Sequence, residues 1–161
     1  MKNKTVIILI SDNHDLESAV YDVPLHHQEA QYFFHCGDSE LPYAMLSSYA
    51  AVKGNNDFDP GYPDFLTITI GCHRFLLTHG HRYYCGFGYD DMLRKAKEEK
   101  CDIVCYGHTH RYDDRMIDGV RFLNPGSIWR NRDGSPSSYM RITLEGKNVK
   151  VERLYYPFSL Q

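Results

Sequence analysis

The sequence has no long hydrophobic run. Its longest purely aliphatic stretch is Val6 to Ile10, far short of the ~20 residues that a membrane-spanning helix requires. That run follows Met1-Lys2-Asn3-Lys4 as the core of an export signal would, but it is short and ends in Ser11-Asp12-Asn13-His14. Export is therefore not expected. There is no CxxC pair either. Cys36, Cys72, Cys85, Cys101 and Cys105 are odd in number and lack ribbon spacing, which argues against a disulfide framework or a zinc ribbon; they read as reduced thiols of a cytoplasmic protein. A basic excess is missing as well: the net charge is −3, so no long nucleic acid is expected as a partner. The charge is uneven, with +4 over residues 121–161 and −7 before them, and the simplest reading of the basic end is a solvated strand surface. Finally, the chain shows no GxSxG and no P-loop, hence no sign of a serine nucleophile or a nucleotide-cradling loop.

What remains is an ordinary globular balance, 42% apolar and 24% charged over 161 residues. That length suits one domain, residues 1–161, with no repeat, linker or low-complexity segment. The excess lies in nine histidines and thirteen tyrosines. Residues 5–11 (TVIILIS) read as a strand buried on both faces. Residues 15–28 read as a helix that Pro24 kinks or ends. A strand at 32–34, a short helix at 41–48 and a strand at 50–53 complete a β-α-β-α-β order, which predicts parallel strands. A hairpin follows over 65–70 and 74–78, then a charged helix over 89–100 and a buried strand over 102–106. Short alternating strands come last, at 115–124 with a turn at Asp118-Gly119, then at 139–144 and 149–155, which turn at Glu145-Gly146-Lys147. The loop 130–138 is polar.

Ligands of α/β sheets bind at the carboxyl ends of the strands. Following each strand to its end gives Asp12 and His14, then Asp38, then Asn55, then His79, then His108 and His110. These seven donors exceed the four that one tetrahedral zinc takes. They suit two adjacent cations with mixed nitrogen and oxygen ligands and open positions for water and substrate. Asp12-x-His14 and His108-x-His110 each place two donors two residues apart, able to meet one ion or straddle a pair. Asp38 is the carboxylate best suited to bridge, and Asn55 supplies a neutral oxygen.

Ser11-Asp12-Asn13-His14, Gly37-Asp38, Gly54-Asn55-Asn56-Asp57, Thr78-His79-Gly80-His81 and Gly107-His108-Thr109-His110 resemble, in order and spacing, the successive motifs of the calcineurin-like metallophosphoesterases. The short length and the Asn124-Pro125-Gly126-Ser127 turn are similar to the family's small cap-less bacterial and archaeal phosphodiesterase branch, related to the retromer-subunit fold. The resemblance runs from residue 5 to residue 155. It implies an α/β fold of two packed mixed sheets flanked by helices. It also implies two divalent metal ions, Mn²⁺ first with Fe, Ni or Zn as alternatives. Asp12, His14, Asp38 and His110 would hold one ion, and Asp38, Asn55, His79 and His108 the other, with Asp38, Asn55 and His79 as catalytic residues. Cations roughly 3.5–4 Å apart would then generate a bridging hydroxide for in-line attack on a small phosphoester. His81, Arg82 and Arg111 would bind substrate, the arginines through non-bridging phosphate oxygens. The alternatives are a phosphomonoesterase, or a non-catalytic interaction scaffold of the same fold with a degraded metal site.

Two positions depart from the family pattern. Asp15 stands where the family usually has glycine, able to cap the next helix or to crowd the site. Asn56 stands where larger members carry a histidine for the leaving group, which leaves water, Asp57 or His81 as the proton source. Other residues read as structural. His26 and His27 are expected on the surface late in the first helix, His35 and His73 as structural groups, and Asn124 to Ser127 as a rigid turn supporting the site. The aromatic loop 83–89 is expected to fill core or meet another copy in a homo-oligomer.

Overall fold

The computed structural model describes residues 3–160; Met1 and Lys2 of the stretch weighed as an export signal, and Gln161 at the end of the expected domain, lie outside it. In chain order the first half comprises β1 (Lys4–Ile10), α1 (Glu17–His26), β2 (Tyr32–His35), β3 (Ala50–Ala51), β4 (Phe65–Ile70) and β5 (His73–Thr78). The second comprises α2 (Asp90–Glu98), β6 (Ile103–Cys105), β7 (Tyr112–Ile117), β8 (Val120–Pro125), β9 (Ser138–Glu145) and β10 (Asn148–Tyr155). Two mixed sheets result, ordered β10-β9-β1-β2-β3 and β4-β5-β6-β8-β7. The parallel strands β1-β2-β3 and β5-β6-β8 form their centres and far flank, and the antiparallel hairpins lie outside them.

Strand alternation explains the layers. Ile7 and Leu9 of β1 point between the sheets, into one core with Phe34, Phe75, Leu77 and Leu123. Ile8 and Ile10 point the other way, onto Ala19, Val20 and Val23 of α1. Leu76, Val104 and Phe122 of the second sheet face outward onto Met92 and Ala96 of α2. Each central strand is thus buried on both faces, and this is why its sequence is unbroken apolar rather than alternating. Truncating a residue such as Leu9, wholly buried, to Ala should cost about 2–5 kcal/mol.

Several boundaries differ from the sequence reading. Pro24 neither ends nor interrupts α1, which continues to His26. A proline cannot bond the carbonyl four residues back, and here the Tyr49 hydroxyl donates to that Val20 carbonyl at 2.7 Å. The helix expected at 41–48 is a single 3₁₀ turn, Tyr43–Leu46. The strand expected at 50–53 pairs only through Ala50–Ala51, because Lys53 N–H turns to the Pro63 carbonyl at 2.8 Å. The turn expected at Asp118 and Gly119 within 115–124 closes the hairpin β7-β8, whose first strand begins earlier, at Tyr112. No helix among the described residues is long and apolar enough to cross a membrane.

Candidate metal centre

The carboxyl ends of the parallel strands all open at one edge of the sandwich. β1 runs into Asp12 and His14, β2 into Asp38, β3 into Asn55, β5 into His79, and β6 into His108 and His110. The turns that follow are strained. Asp12 (φ 56°), His14 (43°), Asp38 (59°), His108 (71°) and His110 (55°) all lie in the left-handed region, where residues with a Cβ are uncommon and where strain marks functional sites. Backbone bonds tie the turns together: Asp12 N–H donates to the Gly37 carbonyl, and His14 N–H to that of Asp38, both at 3.0 Å. The neighbouring glycines make room. A Cβ at Gly107 would stand 2.6 Å from Asp12 Oδ2, and one at Gly37 would stand 2.7 Å from His79 Nδ1.

The side chains converge on Asp12 Oδ1. His110 Nε2 lies 3.3 Å from it, His14 Nε2 3.7 Å and His79 Nε2 3.8 Å. Asp38 Oδ2 stands 3.4 Å from His79 Nε2 and 3.9 Å from His14 Nε2. Asn55 Oδ1 lies 3.0 Å from His79 Nε2 and 3.2 Å from His108 Nδ1. All seven donors read from the sequence therefore meet. Two triads, Asp12-His14-His110 and Asp12-Asp38-His79, each bring one ligand atom per residue within 4.8 Å of the others. Asp12 is common to both, and Asp38, which the sequence singled out, also stands between His14 and His79, 3.9 Å and 3.4 Å away.

The donor set fits cations on three grounds. First, His14, His79 and His110 each direct Nδ1 to an outer oxygen: Glu40 Oε2 at 3.1 Å, the Cys36 carbonyl at 2.7 Å and the Arg130 carbonyl at 2.9 Å. That arrangement aims Nε2 inward, as outer partners do in metal sites. Second, Asp12 Oδ1 is fully buried and accepts no hydrogen bond, an expensive condition for a carboxylate oxygen unless a cation meets it. Third, both carboxylates are held ionised, so they attract positive charge. Burial opposes ionisation of Asp12, yet His79, His110 and the Ser11 hydroxyl hold its carboxyl below the ordinary range. Asp38 is likewise held well down against burial, by its bond and attraction to His79 and by Asn56. Burial also opposes charge on His79, but Asp12 and Asp38 raise it to about 9.

The remaining expectations divide. The His81 ring lies 5.3 Å from His79 and 6.1 Å from His108 between centroids; burial and the neighbouring His79, His108 and Arg82 push it down to about 4. Arg82 is not brought to the cluster, being paired with Asp64 at 3.2 Å on the surface. Arg111 lines a groove that starts at His108. Asp57 is no free acid: its carboxylate accepts from Asp38 N at 2.8 Å, Gly54 N at 2.7 Å and Glu40 N at 2.8 Å. Asp15 neither caps α1 nor crowds the cluster. It is exposed, α1 has no side-chain cap, and φ is 60°, a conformation that glycine adopts at no steric cost.

Asn124 to Ser127 does support the site. Ser127 Oγ donates to the Asp12 carbonyl at 2.7 Å, and Asn124 Nδ2 to that of Gly107 at 3.2 Å. His35 and His73 are structural, bonded to Asn13 Oδ1 at 2.7 Å and Asp102 Oδ2 at 2.7 Å. His27 corrects its surface reading: it is buried against Glu29 at 2.9 Å and the Tyr139 hydroxyl, because the end of α1 tucks under β9. Glu40 and Trp129 were missed. Trp129 sets its ring 5.1 Å from His14, and its being the sole tryptophan is the only signal that could have found it.

Two sheets back to back, with a buried carboxylate and imidazole cluster at their shared carboxyl edge, define a metal-site hydrolase scaffold rather than a dinucleotide or P-loop fold. Comparison with known proteins makes the class specific. The calcineurin-like phosphoesterase superfamily domain matches residues 6–147, and the chain belongs to that family. The Bacillus subtilis (strain 168) protein named "Probable metallophosphoesterase YsnB" is 37% identical over 148 residues, 90% of this chain and 88% of its own length. Phosphodiesterase MJ0936 of Methanocaldococcus jannaschii is 26% identical over 152 residues, covering 80% and 87%. Among solved structures, a Streptococcus pneumoniae TIGR4 protein described as a predicted phosphoesterase superposes with a TM-score of 0.89 at 33% identity, covering 96% of this chain and 94% of that one. Vps29 of Entamoeba histolytica shares the fold, with a TM-score of 0.75 at 24% identity over 93% and 98%.

Proposed function

We propose that this chain is a cytoplasmic, single-domain phosphodiesterase, adding one water across one P–O ester bond to release a phosphomonoester and an alcohol. The observation that carries the reading is the meeting of seven donors from five strand ends, the Oδ1 of Asp12 buried and unbonded among them. Asp12, His14, Asp38 and His110 would hold one divalent cation, and Asp38, Asn55, His79 and His108 a second, with Mn²⁺ the first candidate. When bound, such ions supply positive charge to the phosphoryl oxygens and acidify water toward a pKa of about 7. The chain's own residues do the rest. Glu40, Cys36 and Arg130 orient the imidazoles, Ser127 fixes the Asp12 backbone, and Arg111 stands where it could steady a non-bridging oxygen.

Diesters are favoured because the leaving group has no dedicated proton donor. Asn56 spends its side chain on Asp38 Oδ2 at 3.0 Å, and Asp57 is committed to three backbone N–H groups. A diester monoanion with a good leaving group depends less on that proton than a monoester does. The test compares kcat/KM for an aryl phosphodiester and the matching monoester near neutral pH with Mn²⁺. The diester value should be the larger, and Asn56→His should narrow the gap. Equal or greater monoester activity overturns the assignment. The exposed aromatic tip at Tyr84 and Phe87, 65% and 94% exposed, favours a protein-interaction scaffold as the second reading. Hydrolysis of neither ester by Mn²⁺-loaded protein would decide for it.

A further inference from the structure

Two grooves border the donor cluster, and they differ in charge. One, of about 520 Å³, is lined by Glu40, Asn56 and Asp57 and extends to Phe58 and Asp59; its ionisable groups are all acidic. The other, of about 560 Å³, starts at His108 and is lined by Arg111, Arg115, Arg132 and Tyr89. Both are within the size range of small-ligand sites. Strand alternation builds the second one. On β7, the edge strand of its sheet, Asp113 and Arg115 share a face, and Arg111 continues the same two-residue spacing. Arg132 comes from the loop after β8.

The three guanidiniums are not spent elsewhere. Among the described residues none of them meets a carboxylate, and Arg115 rests over the Tyr89 ring at 5.1 Å. The single acid in the lining, Asp113, is held by the hydroxyls of Tyr89 and Tyr106, both at 2.6 Å. In a chain of net charge −3, a groove with three unpaired arginines against one engaged aspartate is a local inversion of sign. Guanidinium forks match phosphate oxygens in geometry and charge.

We propose that this groove takes a second phosphate of the substrate, so that the preferred ester is a phosphodiester carrying a further phosphate on the arm that extends past His108. The other arm lies along the acidic groove by Phe58, where a phosphate would be repelled. This inference rests on the diesterase reading above.

The test uses adenylyl-adenosine with and without a terminal 5′-phosphate, Mn²⁺-loaded protein at low salt, and the variant R115A/R132A. The phosphorylated dinucleotide should show the higher kcat/KM, by about tenfold, and the ratio should fall toward one in the variant and in high salt. R115K/R132K should keep part of it, which separates lost charge from a damaged fold. A wild-type ratio near one, or a ratio unchanged in R115A/R132A, overturns the inference. Should neither dinucleotide be hydrolysed, the diesterase reading still rests on the aryl phosphodiester, whose leaving group depends less on a proton. The groove is then judged by equilibrium dialysis of the two dinucleotides in EDTA: a preference for the phosphorylated one that R115A/R132A abolishes supports it, and equal retention refutes it.

Discussion

Replacing Asp57 by Asn takes one acceptor away from a carboxylate that holds three loops together. Oδ2 accepts from Asp38 N and Gly54 N, and Oδ1 from Glu40 N, all within a buried side chain. The amide that keeps its oxygen at the Oδ2 position retains two bonds, but it sets its NH₂ group against the Glu40 N–H. That donor then loses a charge-assisted bond and faces another donor, at a cost of about 2–3 kcal/mol. For a chain of this length the melting temperature should fall by roughly 5–10 °C. The same three N–H groups position the Asp38 turn and the Gly54-Asn55 turn, so Mn²⁺ affinity should also weaken, by about tenfold or more. Thermal melts followed by circular dichroism, with and without Mn²⁺, measure both effects. A variant with an unchanged melting temperature and its metals bound, yet without diester hydrolysis, would refute this account and return Asp57 to the role of proton donor.

Three further outcomes are expected. Elemental analysis of Mn²⁺-reconstituted protein should find two ions per chain, and a ceiling of one or none would sink the dinuclear proposal. Asp38→Asn should abolish hydrolysis of an activated aryl phosphodiester and weaken metal binding, whereas His26→Ala, exposed and stacked on Phe158 at 3.7 Å, should change neither; near-normal turnover of Asp38→Asn with its metals bound would remove its bridging role. Stability should also respond to acid through His35. Burial pushes this imidazole down to about 4, so it folds neutral while the unfolded chain takes up a proton near 6.5. Stability from this group is full at neutral pH and is lost as pH falls from about 6.5 to 4, by about 3 kcal/mol. In denaturant melts between pH 7 and 5, His35→Gln should show a shallower loss than the parent chain; parallel slopes would contradict the buried neutral state.

The chain itself carried the central strands, since a strand covered on both faces must be apolar throughout, as Val6 to Ile10 is. It also carried the seven polar residues that the fold gathers at one edge, because a group at a strand end follows closely on an apolar run. Both signals are local. What the tertiary structure alone decided depends on partners distant in sequence. Asp57 became a strut because Asp38, Glu40 and Gly54 point N–H groups at it. Arg82 was drawn off to Asp64. His27 was buried by Tyr139, more than a hundred residues away, and Pro24 was tolerated because Tyr49 serves the carbonyl it leaves unbonded. Arg111, Arg115 and Arg132 became one groove only when the loop after β8 met the edge strand β7. Spacing along a chain records which residues share a strand or a turn; which charges and hydrogen bonds pair across the fold is set by packing, and packing is where this site acquires its outer partners and its second groove.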